Sequence, residues 1–433
     1  MAAIGPDFKS GYADLAPISN ADVATTLAHI LGFNIPSNGD LTGRVITEAL
    51  KGGPDSVPIT TGILKSDPAE NGQQTYLNYQ QVGDTKYFDA AGFEGRTVGL
   101  STSLQTDDIL FSFAVIGCNR EDKADLSPDN PSTANLEQLN RTFQEIAQLS
   151  PNPKFLFFAG DLVYGYTPDT TQLESELKAW LEVYNNSPLA SSATTLIPIP
   201  GNHEVQDDKK VAYEEAEKTW LSVMAPYLQY AGNGPQAGGP DNLKTDQSSL
   251  TYSFDYLGTH FVLLDTDPVG KDWSVPVQWV EQDLDQAQAN QDQHIFAIGH
   301  KPAYAYPTDL YSPPLSVEDG LGKLYPEMRD EFWNSLNAHH VEAMLAAHDH
   351  LYYRAQPNGQ TWQIIAGNGG SPLESVVNQQ DMNYYGFTIV NVLKDGHVTV
   401  TSYGRDVPDE GYLASSAAYP TTIRDQADIT WTN

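Results

Sequence analysis

The sequence holds a single cysteine, Cys118, so no disulfide can form within the chain, and the redox compartment cannot be read from cysteine pairing. It is short of cations: 23 lysines and arginines face 56 aspartates and glutamates, a formal net charge of −33. Without a basic patch to neutralise phosphates, nucleic acid and anionic membrane surfaces are disfavoured as partners. An anionic substrate would meet an unfavourable long-range field that local cations at its site must reverse. No apolar run is long enough to span a bilayer. The opening MAAIGPDFKSGYADLAP lacks the basic residues and apolar core of a signal peptide, so the expectation is a cytoplasmic protein or one whose leader has been removed. Internal repeats are lacking as well, and nothing in the sequence fixes an oligomeric state.

What is present is enough for a large core. Aromatic residues make up 10% of the 433, which excludes a disordered chain and leaves room for two or three domains. Two textures divide the sequence. Residues 1–107 are rich in Gly, Pro and Thr, with one expected helix over Ala21–Leu31, Asn20 as its N-cap and Gly32 as its stop, followed by short strands and turns over residues 54–100. Residues 108–433 alternate strands with helices. Strands are expected at Phe111–Ile116, Lys154–Ala159, Thr195–Pro200, Thr251–Tyr256, His260–Leu264, His294–Ile298, Glu342–Ala347, Trp362–Ala366, Gly386–Leu393 and His397–Ser402. Helices are expected at Leu136–Leu149, Thr171–Tyr184, Lys209–Met224, Pro276–Asn290 and Leu324–Asn337, and residues 234–250 read as a flexible insertion. The class is mixed α/β with two sheets, since the last strands come as hairpins.

Five of these strands end in metal-competent residues. FAVIG runs into Cys118, FLFFAG into Asp161 and Tyr164, TLIPIPG into Asn202, His203 and Glu204, HIFAIG into His300, and AMLAA into His348, Asp349 and His350. One such turn means little, because a histidine after a strand is more often structural. Four of ten histidines in turns that all follow apolar runs are a different matter. Imidazole and carboxylate suit divalent first-row metals, phenolate suits Fe(III), and one carboxylate can bridge two ions that together clamp a phosphoryl transfer.

The turns GDLVY, GNHE, GH and HDH resemble those of the calcineurin-like metallophosphoesterase superfamily. The flanking stretches YSFDYLGTHFVLLDTD, HHVEAMLAAHDHLYYR and AGNGGSPLE resemble its purple acid phosphatase branch, over roughly residues 111–405. That resemblance implies a four-layer α/β/β/α sandwich and a dinuclear phosphoester hydrolase using metal-activated hydroxide. It implies Asp161 bridging two ions, Tyr164 and His350 on the first, and Asn202, His300 and His348 on the second. His203 would be the general acid or transition-state stabiliser. The ions implied are Fe(III) plus a divalent Zn, Fe, Mn or Ca, and the substrate a small phosphomonoester or phosphodiester, with phosphotriesters as a side activity to test. The family has an Asp where this chain has Cys118; a Cys there resembles the PhoD-like phosphodiesterases, which pair it with a Tyr on Fe(III). Cys118 is then a thiolate ligand, an inert buried thiol at a degraded site, or a redox-sensing thiol. The second of these would make the protein a pseudoenzyme acting as a metal- or phosphate-binding module.

Around these residues several roles stay open. Arg120 could grip a substrate phosphate, or pair with Glu121 or Asp122 at the surface. Glu204 could orient His203, or be a plain turn carboxylate. Tyr304 and Tyr306 could line the substrate entrance. Asp349 is expected to point away from the metals, and His339 and His340 to be structural. Residues 11–50 resemble the carboxy-terminal end of alkaline-phosphatase-superfamily phosphodiesterases, stripped of nucleophile and ligands. A fragment or descendant of a longer two-enzyme protein, exported in its parent form, is the expectation, with residues 1–107 as a small accessory region.

Overall fold

The computed structural model describes residues 3–14, 16–33, 43–69, 74–93, 96–99, 108–306, 320–374 and 382–431. The chain forms two compact units, the smaller one made of residues from 1–69, 74–93 and 98–102. The expected boundary at residue 107 lies outside the described residues, as does 34–42 of the stretch compared with phosphodiesterases.

The smaller unit holds helix α1 (Asn20–Leu31) and a four-stranded antiparallel sheet in the order β1 (Thr60–Lys65), β2 (Thr75–Val82), β3 (Thr85–Phe93), β4 (Arg96–Gly99). The N-cap of α1 is Ser19 rather than Asn20. Asp22 reaches back to accept from the Ser19 N–H at 2.7 Å, and Gly32 at φ 71° ends the helix in the left-handed turn expected of it. Buried Asp22 also accepts from the Tyr87 hydroxyl and the Arg44 N–H, and Arg44 pairs with Glu48.

In the larger unit, β5 (Ile109–Ile116), β6 (Phe155–Ala159) and β7 (Thr195–Ile199) run parallel, and β14 (Tyr385–Leu393), β15 (Val398–Arg405) and β16 (Thr422–Asp428) extend them antiparallel in the order β16-β15-β14-β5-β6-β7. A second six-stranded sheet has the order β12 (Tyr352–Ala355), β13 (Trp362–Ala366), β11 (Ala343–Ala346), β10 (His294–Gly299), β9 (Thr259–Leu264), β8 (Tyr252–Tyr256). Strand alternation sorts the core into layers. Phe111, Phe113 and Val115 face Phe261, Phe296 and Leu345 of the second sheet, whereas Ala114 and Ile116 turn outward onto helices α2 (Leu136–Ala147) and α3 (Thr170–Asn185). Phe113 meets Phe157, Phe261 and Phe296 edge to face at 5.1–5.4 Å, binding the two sheets through one ring. On the other outer face Val262, Leu264, Ile295 and Ala297 pack under α6 (Val277–Asn290) and α7 (Pro326–Ala338). The result is the α/β/β/α sandwich.

Three expectations are corrected. The helix drawn from Lys209 starts at Glu214, as α5 (Glu214–Met224), because Lys210 sits at φ 62° and Ala212 bridges to Gln206 instead of continuing a helix. Short β12 and polar β16 were not foreseen. Residues 234–250 are irregular but anchored: Gln247 and Leu250 are buried, and the Asp241 carboxylate accepts from the Gln278 and Trp279 N–H groups, capping α6 from a distance in sequence.

On β9, buried His260 lies between two carboxylates, Asp255 at 2.6 Å and Asp283 at 2.9 Å, with Asp292 nearby. Burial works against a charged ring, but Asp283 and Asp255 outweigh it and hold its pKa above the usual value. A raised folded pKa gives stability that is fully present below the unfolded histidine value of about 6.5 and is lost as pH rises through the folded value. Thermal melts should therefore show His260→Gln about 2–4 °C below wild type near pH 6. The gap should close at alkaline pH; a gap independent of pH would show that the ring acts by packing alone.

Candidate metal centre

The C-terminal ends of β5, β6, β10 and β11, and the turn from β7 into the short helix α4 (Asn202–Val205), converge at one edge of the sandwich. Cys118, Asp161 and His348, each just past a strand, have left-handed φ of 56°, 55° and 67°. Three non-glycine residues in this region, each costing roughly 1–3 kcal/mol, are backbone strain gathered in one place. Gly160, at φ 81°, lets the β6 turn pass between His300 and Gly201. Gly165 lies so close to the His203 carbonyl that any Cβ would overlap it.

Two sets of ligand atoms result, sharing Asp161: Cys118, Asp161 and His350, and Asp161, His300 and His348. Asn202 completes the second set. Its Oδ1 lies 2.9 Å from His300 Nε2 and 3.0 Å from His348 Nδ1, and His300 Nε2 is 3.2 Å from Asp161 Oδ1. The tautomers are set by backbone carbonyls. His300 Nδ1–H donates to the Ala159 carbonyl at 2.7 Å and His350 Nδ1–H to that of Pro372 at 2.8 Å, leaving each Nε2 as a lone pair. Buried lone pairs thus face a carboxylate and an amide oxygen with few protons between them. That donor set fits divalent or trivalent cations and nothing neutral.

Electrostatics agree. Burial drives His348 well below the usual imidazole range and His350 down to about 4, so both rings are neutral. Burial alone would raise Asp161, yet His300, His203 and Arg120 hold it below the usual carboxylate range. Burial, then Asp161, pushes the Cys118 thiol up; its Sγ accepts from the His348 N–H at 3.1 Å, and a cation there would displace the proton.

The remaining residues line or brace a cavity of about 490 Å³ in front of these sets. Tyr164 lies in its wall. Its carbonyl accepts from His203 Nδ1–H, so His203 turns Nε2 inward, 3.8 Å from Asp161 Oδ2, and burial takes this ring down to about 3. Arg120 also lines the cavity, its buried Nε without a hydrogen-bond partner and 3.7 Å from Asp161 Oδ2; its only bond to Glu121 is to the backbone carbonyl. Glu204 does not touch the His203 ring. It accepts from the N–H groups of Asp161, Val163 and Gly201 at 2.7–3.1 Å, tying the β6 and β7 turns together, and burial beside Asp161 raises it to about 8. Tyr304 is a correction: its ring packs on Trp333 at 5.4 Å under the Arg329 guanidinium, in the outer helix layer, whereas Tyr306 reaches the cavity. The Asp349 carboxylate accepts from the Tyr306 N–H at 3.1 Å, and His339 is held by the Ser335 carbonyl and Asp285.

Two residues went unforeseen. Tyr166, two positions past Tyr164, lies against His203. Trp273 stands perpendicular to His348 at 5.2 Å, with Lys301 Nζ 3.4 Å and Lys323 Nζ 4.3 Å from its ring centre.

The family model for calcineurin-like phosphoesterases matches residues 111–352, more than half of the chain. The chain belongs to the calcineurin-like phosphoesterase family. The matched stretch is a metallophosphoesterase domain, similar in sequence to purple acid phosphatase 23 of Arabidopsis thaliana (24% identical over 192 residues, 42% of this chain and 36% of the relative). Purple acid phosphatase 15 of the same plant is 23% identical over 192 residues, 44% and 32% of the two chains. The chain thus spans about a third of the length of these relatives. Among solved structures it is similar to the purple acid phosphatase from yellow lupin (Lupinus luteus) seeds, at 14% identity and TM-score 0.49 over 86% of this chain and 66% of that one. PhoD is similar at 12% identity and TM-score 0.49, over 83% and 78%. No helix among the described residues is long and apolar enough to cross a membrane.

Proposed function

We propose that this calcineurin-like phosphoesterase hydrolyses small phosphomonoesters or phosphodiesters at a dinuclear metal centre. The observation that carries the reading is the convergence of Asp161 Oδ1, Asn202 Oδ1, His300 Nε2 and His348 Nδ1, four atoms able to bind a cation brought within hydrogen-bond distance of one another. Cys118, Asp161, Tyr164 and His350 would hold the first ion, for which thiolate and phenolate favour Fe(III); Asp161, Asn202, His300 and His348 would hold a divalent second ion. When bound, the two cations supply Lewis acidity and a more acidic water at neutral pH.

The protein's own groups do the rest. Asp161 belongs to both sets and would be shared by the two ions. Arg120 brings an unspent N–H and a permanent positive charge to the cavity, which offsets the chain's negative field at the one place a phosphoryl group must enter. His203, neutral and locked at Nδ1, presents only Nε2 to the cavity. The negative charge of an arriving phosphoryl group raises its proton affinity, so a proton taken up at Nε2 can pass to the leaving oxygen. No residue need form a phosphoenzyme.

Metal content tests this. Elemental analysis of purified protein should give about two ions per chain, and hydrolysis of a mono-, di- and triester panel should vanish after chelation and return on reloading. Zero or one ion per chain with no activity on reloading would refute the two-metal enzyme and favour the binding-module reading.

A further inference from the structure

The geometry points to Tyr166 as a positioning residue that sets Asn202 and His203 at once; the inference rests on the metal centre proposed above. Nothing in the ligand motifs requires it, but three contacts place it there. Its hydroxyl accepts from Asn202 Nδ2–H. Its ring lies on the His203 imidazole with centroids 3.7 Å apart and planes 36° from parallel. Its N–H donates to the His203 carbonyl at 2.9 Å. The chain reaches this position by two successive left-handed residues, Gly165 at φ 53° and Tyr166 at φ 45°, a turn that folds the segment after Tyr164 back over α4.

An asparagine is a poor ligand until its amide is oriented, because rotation by half a turn exchanges oxygen for NH₂. The amide of Asn202 is buried, and its Oδ1 is the only atom it can offer His300, His348 and a cation. The Tyr166 hydroxyl takes the NH₂ side and so holds Oδ1 inward. The same ring covers one face of the His203 imidazole, which the Tyr164 carbonyl grips only at Nδ1. One aromatic residue thereby fixes a ligand of the second metal through its hydroxyl and the proton-transfer ring through its face. Loss of such an outer contact to a ligand typically costs 10–100-fold in metal affinity.

The two functions separate by substitution. Tyr166→Phe keeps the face and removes the hydroxyl. Zn²⁺ titration against a competing chelator should show the weaker of two sites falling about 10–100-fold while the tighter is unchanged, and kcat should recover in excess Zn²⁺. Tyr166→Leu removes both, so kcat should stay low at saturating Zn²⁺. In an Asn202→Ala background, which has no amide to orient, adding Tyr166→Phe should change Zn²⁺ affinity no further. Wild-type Zn²⁺ affinity in Tyr166→Phe, or an equal loss in both backgrounds, overturns this inference while leaving the metal centre standing. A wild-type chain that binds no Zn²⁺, Fe or Mn overturns both.

Discussion

Asp161→Asn should lower phosphoester turnover about 10³-fold while leaving the protein folded. The substitution is close to isosteric, and asparagine tolerates the left-handed φ of 55° at this position. The N–H that donates to Glu204 is kept. What is lost is a negative charge shared by the two ligand sets. Charge stabilisation by bound cations is worth several kcal/mol in the transition state, and about 4 kcal/mol corresponds to three powers of ten in rate. The assay is kcat on the best ester of the panel, alongside metal content and a thermal melt. Activity within tenfold of wild type at full metal loading would remove Asp161 from the reaction.

Gly160→Ala should destabilise the larger unit and disturb the ligand turns together. At φ 81° an L residue is strained, which costs about 1–2 kcal/mol by itself. The new Cβ would also stand 2.5 Å from His300 Nδ1 and 2.6 Å from the Gly201 Cα. The histidine would lose its bond to the Ala159 carbonyl, and the β7 turn that carries Asn202 would have to move. Overpacking of this kind adds roughly 1–3 kcal/mol, for a total of about 2–5 kcal/mol. Gly396→Ala supplies the control: its φ is 87°, but nothing lies within 4 Å of the added carbon. Denaturant unfolding should show a loss of about 1–2 kcal/mol for Gly396→Ala and roughly twice that for Gly160→Ala, accompanied by reduced metal binding. Equal losses would mean that the β6 turn is more pliable than its contacts imply.

The strand ends were legible because an apolar run followed by a polar turn is a strong local pattern, and it recurs at Cys118, Asp161, Asn202, His300 and His348. The layers followed from the same alternation. What could not be read is direction. Tyr304 and Tyr306 both follow His300 closely, yet one packs under Arg329 and the other faces the cavity. Glu204 adjoins His203 in sequence and points at the β6 turn instead. Tyr166 carries no signal of its own, since its placement depends on a left-handed turn. β16 was hidden because its sequence, TIRDQAD, is polar; buried Asp425 is there to meet Arg354 and the Tyr352 hydroxyl on the other sheet.

The proposed ligands are divided between the two sheets. Cys118, Asp161 and Asn202 follow strands of one, and His300, His348 and His350 follow strands of the other. Either sheet alone carries half a site. Cations held by both halves would act as rivets between two plates that are otherwise joined by side-chain packing and a few polar bonds such as Arg354–Asp425, and occupancy would raise the cost of sliding one plate against the other. The chemistry is therefore a reporter of assembly: no contiguous fragment shorter than the span from Cys118 to His350 contains it, and a chain that has folded only one sheet has nothing with which to begin.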